Sequence, residues 1–217
     1  MLQAILFDLD GTLAHTDPIH FRVWQSMLAP YGLVFDETFY KANFSGRLNP
    51  DIVRDLLPQL SPAEGEQLST EKEAQFRIAA ADQLQPLPGL MALIAWLKRQ
   101  RLLSAIVTNA PRPNAEFMIQ TLRLTNLFDT VVISDDLPRG KPDPLPYQTA
   151  LQRLALGPEQ VVVFEDSPSG IRAAIAAGIT TIGVATTYTP DELYDLGVTL
   201  AIQDFTDERL QDLGIGI

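Results

Sequence analysis

The sequence predicts an α/β protein: a parallel β-sheet covered on both faces by helices, with a smaller all-helical segment inserted after the first strand. Three observations carry this. From Leu84 onward, short β-branched-rich apolar runs alternate with helix-periodic stretches. Those runs are continuously apolar, as strands buried on both faces are, and do not alternate apolar with polar residues. Between Thr16 and Gln83 helical patterns continue, but no convincing strand accompanies them.

Met1–Phe7 is the first buried strand. In the inserted segment, His20–Leu28, Asp51–Leu57 and Ala63–Ala81 read as helices. The third follows Ser61-Pro62, a serine N-cap with proline at the first helical position. Asp17-Pro18 and Leu84-Gln85-Pro86-Leu87-Pro88-Gly89 bracket the segment, as expected where the chain changes direction. Beyond it, strands are expected at Leu102–Thr108, Thr130–Ser134, Val161–Glu165 and Thr180–Val184. Helices are expected at Leu90–Gln100, Asn114–Leu122, Pro144–Leu154 and Ser167–Ala177. Strand–helix alternation at this spacing implies right-handed crossovers. The expected division is a catalytic core of residues 1–15 and 84–217 and a helical cap of residues 16–83.

Composition narrows the function classes. The 217 residues are 46% hydrophobic and 20% charged, the balance of an ordinary globular protein. Cysteine is absent, which removes disulfides, thiol nucleophiles and thiolate metal sites. Two histidines, His15 and His20, are too few for a His-rich zinc site. With 16 Lys+Arg against 27 Asp+Glu, the net charge of −11 argues against a broad nucleic-acid or anionic-membrane surface. No stretch approaches the ~20 apolar residues that span a bilayer. Met1-Leu2-Gln3 lacks a basic leader region, so a soluble, cytoplasmic protein is expected.

Four short constellations fall where strands end. In Phe7-Asp8-Leu9-Asp10-Gly11-Thr12, alternation sends Asp8 and Asp10 to the same side. Two carboxylates that close repel unless a cation lies between them, and a hard oxygen-loving ion such as Mg²⁺ fits. Thr108-Asn109 ends a second strand with a hydroxyl and an amide able to hydrogen-bond a phosphoryl group, although such residues are more often turns or caps. Gly140-Lys141-Pro142-Asp143-Pro144 holds a lysine in a stiff loop, where an inward ammonium would neutralise phosphate and acids together. Val161-Val162-Val163-Phe164-Glu165-Asp166-Ser167 delivers two adjacent acids to the carboxyl end of an apolar strand, where ligands bind in open α/β sheets.

Taken in order, Asp8-Leu9-Asp10-Gly11-Thr12, Thr108-Asn109, Lys141 and Glu165-Asp166 resemble the haloacid dehalogenase superfamily of phosphotransferases. The likeness covers nearly the whole chain. The helical insertion is similar to the subgroup that contains phosphoglycolate phosphatase, β-phosphoglucomutase and small sugar-phosphate phosphatases. The resemblance implies a Rossmann-like core and Mg²⁺ as cofactor. It implies Asp8 as the nucleophile that forms an aspartyl-phosphate, and Asp10 as general acid–base with its main-chain carbonyl on the metal. Thr108 and Lys141, with Asn109 beside them, are implied to hold the phosphoryl group. Asp8 and Asp166 are implied metal ligands, with Glu165 a neighbouring direct or water-mediated one.

The cap is expected to choose the substrate. His20, Gly46, Arg47 and Asn49 are its candidate contacts, while Lys72 reads as a solvated lysine on a helix face. His15 has no assigned role. The expected reaction is hydrolysis of a small phosphomonoester, a sugar phosphate for preference. A β-phosphoglucomutase-type mutase is the alternative, although Gly46-Arg47-Leu48-Asn49 departs from the mutase's loop. A phospho-receiver domain is the distant alternative, at odds with the chain length and with an acidic pair that follows the lysine. The expected partner is a small phosphorylated metabolite, with neither nucleic acid nor membrane, and the chain is expected to be a monomer or weak homodimer.

Overall fold

The structure is a computed structural model describing residues 1–216. The chain divides into two compact units, Thr16–Leu84 and Met1–His15 with the chain from Gln85 onward. The first strand, β1 (Ala4–Phe7), precedes the helices α1 (Asp17–Leu28), α2 (Glu37–Asn43), α3 (Asn49–Leu56) and α4 (Pro62–Ala80). Then follow α5 (Leu90–Gln100), β2 (Leu103–Thr108), α6 (Arg112–Thr121), β3 (Thr130–Ile133), α7 (Leu145–Leu154) and β4 (Val161–Glu165). The remaining α-helices and strands are α8 (Pro168–Ala176), β5 (Thr180–Val184), α9 (Pro190–Asp195) and β6 (Leu200–Ile202).

The larger unit is a six-stranded sheet of order β3-β2-β1-β4-β5-β6, and every pair in it is parallel. The α/β class expected from the alternation is what the structure has. The chain builds outward from β1 through β2 and β3, then returns to lay β4 on the other side of β1. That reversal makes the carboxyl end of β1 the topological switch point, where such sheets bind ligands. One sheet face packs Ala4, Leu6, Val107, Val161 and Val163 against Tyr147, Ala150, Leu151, Ala173 and Ala174 of α7 and α8. On β1 the alternate residue Phe7 stacks on Phe164 at 5.4 Å between ring centres and meets Phe128 and Phe205 edge-on. Both faces of β1 are therefore buried, which is why its sequence is apolar throughout.

The smaller unit surrounds a core of Trp24, Leu28, Phe35, Tyr40, Phe44, Ile52, Val53, Leu57 and Leu68. Its longest helix, α4, opens with a reciprocal capping box in which Ser61 accepts from the Glu64 amide and Glu64 accepts from the Ser61 amide. Among the α-helices and strands of the described residues, three lie outside the expectations: α2, α9 and β6. Two are helices of seven and six residues and the third a strand of three, all too short to establish a period. Proline also misled the boundaries. Helices α1, α3 and α6 each begin before the expected start, with Pro18, Pro50 or Pro113 inside the first turn, where a missing N–H costs nothing. No helix among the described residues is long and apolar enough to cross a membrane.

Candidate active site

Sheet register builds the site. Phe7 pairs with Ile106 on one side and with Phe164 on the other, so Asp8, Val107 and Glu165 come next and lie level at the carboxyl edge. Lys141 bonds to all three. Its Nζ donates to Asp8 Oδ1 at 2.6 Å, to the Val107 carbonyl at 2.7 Å and to Glu165 Oε1 at 2.6 Å. An ammonium has three protons, and each has an acceptor. The inward lysine expected from its Gly-Lys-Pro loop is 4% exposed.

The loop that carries Lys141 is fastened from β2. Asn109 Nδ2 donates to the Lys141 carbonyl at 3.0 Å, while Asn109 Oδ1 accepts from the Lys141 amide at 2.9 Å and from the Ser134 hydroxyl at 2.6 Å. The side chain read as a phosphate contact spends its oxygen and one of its two amide protons on this loop, so Asn109 is a clasp for the lysine loop and keeps one proton to donate. Thr108 is 1% exposed, and its hydroxyl accepts from the Ala110 amide at 2.9 Å, leaving its own proton to donate.

Glu165 is held as tightly as the lysine. Oε1 accepts from Lys141 and from the Tyr147 hydroxyl at 3.0 Å, while Oε2 accepts from the Ser167 amide at 3.1 Å and its hydroxyl at 3.2 Å. Ser167 also caps α8 by accepting from the Gly170 amide. A carboxylate offers about four lone-pair directions. A direct bond from Glu165 to a cation would therefore displace one of these partners.

The turn after β1 brings in the remaining groups. Gly11 has φ +78°, and a Cβ there would lie 2.1 Å from Asp166 Oδ2, so backbone and space both demand glycine. Thr12 donates its hydroxyl to Asp166 Oδ1 at 3.2 Å, and Thr186 donates its own to the Gly11 carbonyl at 2.7 Å. Oxygens of Asp8, Glu165 and Asp166 lie within 4.8 Å of one another, and all three residues are buried. Asp10 is partly exposed, and its carboxylate is not in that group. The strand has ended by Phe7, so strict alternation does not extend to Asp10.

Electrostatics follow from this crowding. Burial pushes the Asp8 carboxyl up, Lys141 pulls it back, and Glu165 and Asp10 raise it again, leaving it at about 8. Burial works against the Lys141 ammonium, but Asp8 and Glu165 outweigh it and hold the group above its ordinary value. Three buried carboxylates against one ammonium leave two negative charges unbalanced if all ionise. An all-oxygen, anionic, buried donor set of this kind fits a hard divalent cation.

In the helical unit the structure joins His20 and Asn49 through Lys72 and Glu73 and gives Arg47 different partners. Lys72, expected on a solvated face, is 3% exposed: α4 turns it inward, between Trp24 and Phe76. Its Nζ donates to Glu73 Oε1 at 2.8 Å and to His20 Nδ1 at 2.9 Å, and Asn49 Nδ2 donates to the same Glu73 oxygen at 2.5 Å. The His20 ring stacks on Phe76 at 3.9 Å. Arg47 instead pairs with Asp55 and donates to the Asn43 carbonyl, and Gly46 takes a φ of +70° in the turn before it.

Sequence reasoning missed Tyr147, Ser134, Thr186 and Glu73. Tyr147 stands on the apolar stripe of α7 and reads as core. Ser134, Thr186 and Glu73 stand in ordinary polar contexts, and only pairing across the fold gives them meaning.

Residues 5–184 match the family described as haloacid dehalogenase-like hydrolase. The validoxylamine A 7′-phosphate phosphatase of Streptomyces hygroscopicus subsp. limoneus is 33% identical over 214 residues, 99% of each chain. A fructose-1-phosphate phosphatase of Escherichia coli is 33% identical over 183 residues, covering 83% of this chain and 95% of that one. Among solved structures, an aspartate-to-asparagine mutant of CbbY from Rhodobacter sphaeroides in complex with xylulose-(1,5)-bisphosphate superposes with a TM-score of 0.83 at 29% identity, over 95% of this chain and 96% of that one.

Proposed function

The chain belongs to the haloacid dehalogenase-like hydrolases, and from that premise we propose that it is a Mg²⁺-dependent phosphatase of small phosphorylated carbohydrates, working through an aspartyl-phosphate on Asp8. The observation that carries the reading is the Asp8–Lys141 contact of 2.6 Å inside a cluster of three buried carboxylates. The substrate class rests on the relatives, named as phosphatases of validoxylamine A 7′-phosphate and fructose 1-phosphate.

Asp8 and Asp166 would hold Mg²⁺, with the Asp10 main-chain carbonyl completing the direct share and the fully bonded Glu165 a neighbour that would reach the ion through water. Bound there, the ion would supply positive charge against the repulsion between a carboxylate and a phosphate dianion. Lys141 adds to this from the other side, since its proton on Asp8 can be shared with a phosphoryl oxygen. Thr108 donates its hydroxyl to the same group. Asp8 attacks phosphorus in line, the bond from phosphorus to the sugar oxygen breaks, and Asp10 gives that oxygen a proton. Water then attacks the aspartyl-phosphate, Asp10 takes its proton, and phosphate leaves with Asp8 restored. Positioning and charge stabilisation account for most of the rate in such transfers. Substrate choice is assigned to His20, Gly46, Arg47 and Asn49 of the helical unit, joined there by Lys72 and Glu73.

The test is phosphate release from a panel of sugar phosphates and p-nitrophenyl phosphate, with Mg²⁺ and with chelator. Multiple turnovers that require Mg²⁺ are expected, and Asp8→Asn should abolish them with an unchanged circular dichroism spectrum. Turnover near wild type by that variant would overturn the assignment of Asp8.

A further inference from the structure

Tyr147 is 0% exposed, on α7, among Val163, Ala150, Leu151 and Ala173. A phenylalanine would fill such a place at no polar cost. A buried hydroxyl is instead expensive unless it is bonded, and here its partner is not a nearby carbonyl but Glu165 Oε1, at 3.0 Å. That same oxygen accepts from Lys141 at 2.6 Å, and the Lys141 ammonium stands 5.0 Å from the centre of the Tyr147 ring. Tyrosine therefore touches the lysine's counter-ion with its hydroxyl and the lysine itself with its π face.

We propose that Tyr147 is a positioning residue for the reaction: by fixing Glu165 it fixes the direction in which Lys141 is held against Asp8. The proposal rests on the hydrolase reading for its kinetic consequence. Glu165 Oε2 is anchored by Ser167 at the start of α8, so the carboxylate can pivot only about that oxygen. The Tyr147 bond stops the pivot. Without it, Lys141 is the one donor left to Oε1 among the described residues, and the two can move together away from Asp8. A shift of about 1 Å at a reacting centre can cost a hundredfold in rate. Because the lysine's aim matters most when charge moves between Asp8 and the phosphoryl group, the loss falls on kcat and not on KM.

Tyr147→Phe removes the hydroxyl and keeps the ring. It is expected to lower kcat on p-nitrophenyl phosphate about tenfold with KM within about twofold of wild type. In a Glu165→Gln background the same change should alter kcat by less than about twofold, because its route is already cut. Unchanged kcat in Tyr147→Phe, or an equal loss in both backgrounds, would overturn the proposal. A second measurement does not depend on turnover. The Lys141 ammonium, identified in nitrogen-15 spectra by its loss in Lys141→Arg, should give a persistent signal in the wild-type protein that broadens in Tyr147→Phe. An unaltered signal refutes the positioning role even if no phosphomonoester is hydrolysed, whereas wild-type inactivity with a broadened signal refutes only the hydrolase reading.

Discussion

Asn109 holds Lys141 by both polar groups of the lysine's main chain, donating to its carbonyl at 3.0 Å and accepting from its amide at 2.9 Å. The lysine that charges the site is thus fixed at its root by one residue and at its tip by Asp8, Val107 and Glu165. Asn109→Asp keeps the acceptor but sets a carboxylate against the Lys141 carbonyl, so it should be worse than a simple loss. It is expected to lower kcat by about a hundredfold and Asn109→Ala by about tenfold, each with KM little changed. Steady-state kinetics check this. A rise in KM with kcat preserved would show that Asn109 acts by binding phosphate, the role its sequence position suggests, and not through the lysine.

Gly170 leaves the space that the Glu165 carboxylate fills. A Cβ at Gly170 would lie 1.6 Å from Glu165 Oε1, and that carboxylate cannot swing aside without releasing Lys141, Tyr147 or Ser167. Gly170→Ala should therefore cost about 2–4 kcal/mol of stability, as overpacking and a disturbed buried network do, and lower kcat by more than tenfold. Thermal unfolding and turnover measured on the same preparation test the link. A stable variant with full activity would show that Glu165 is not held as described.

The raised Asp8 carboxyl, at about 8, sets a pH dependence with a definite sign. An unfolded aspartate titrates near 3.9. The folded, metal-free protein therefore keeps a proton that the unfolded chain gives up. Its stability should fall as pH rises from about 4 toward 8. Asp8→Asn should flatten that slope. A cation that displaces the proton at pH 7 should release nearly one proton per site, which calorimetry in buffers of different ionisation enthalpy measures directly. Mg²⁺ binding without proton release would contradict the burial-driven shift at Asp8.

Much of this site is legible in the sequence because its charged residues follow apolar strands. The apolar runs 4–7 and 161–164 announce where strands end, and the acids after them have few places to go except the carboxyl edge. What stays hidden is partnership. Nothing local says that Asn109 clasps Lys141, because the two are 32 residues apart. Tyr147 looks like core since only its hydroxyl departs from the apolar stripe. Lys72 looks solvated for the opposite reason: a lysine buries its stem easily, and the sequence does not display the acid and histidine that make burying its charge tolerable. The elements α9 and β6 are shorter than a hydrophobic period needs, so tertiary packing around Leu193 and Ala201 determines them.

That buried group in the helical unit yields a last prediction. Burial pushes the Glu73 carboxyl up, but Lys72, His20 and Asn49 outweigh burial and hold it below the ordinary 4.5. A carboxyl depressed on folding contributes stability that is complete above its unfolded value and lost as pH falls through its folded value. Glu73→Gln leaves the Lys72 charge buried beside a neutral amide, at a cost of about 3 kcal/mol near pH 7. The difference from wild type should shrink as pH falls below about 4.5, because the wild-type protein is then losing the same charge. Thermal unfolding of both proteins across that range reads the trend. If the gap stays constant into acid, the Glu73–Lys72 ion pair does not stabilise the unit, and the contact of 2.8 Å is a proximity without energetic weight.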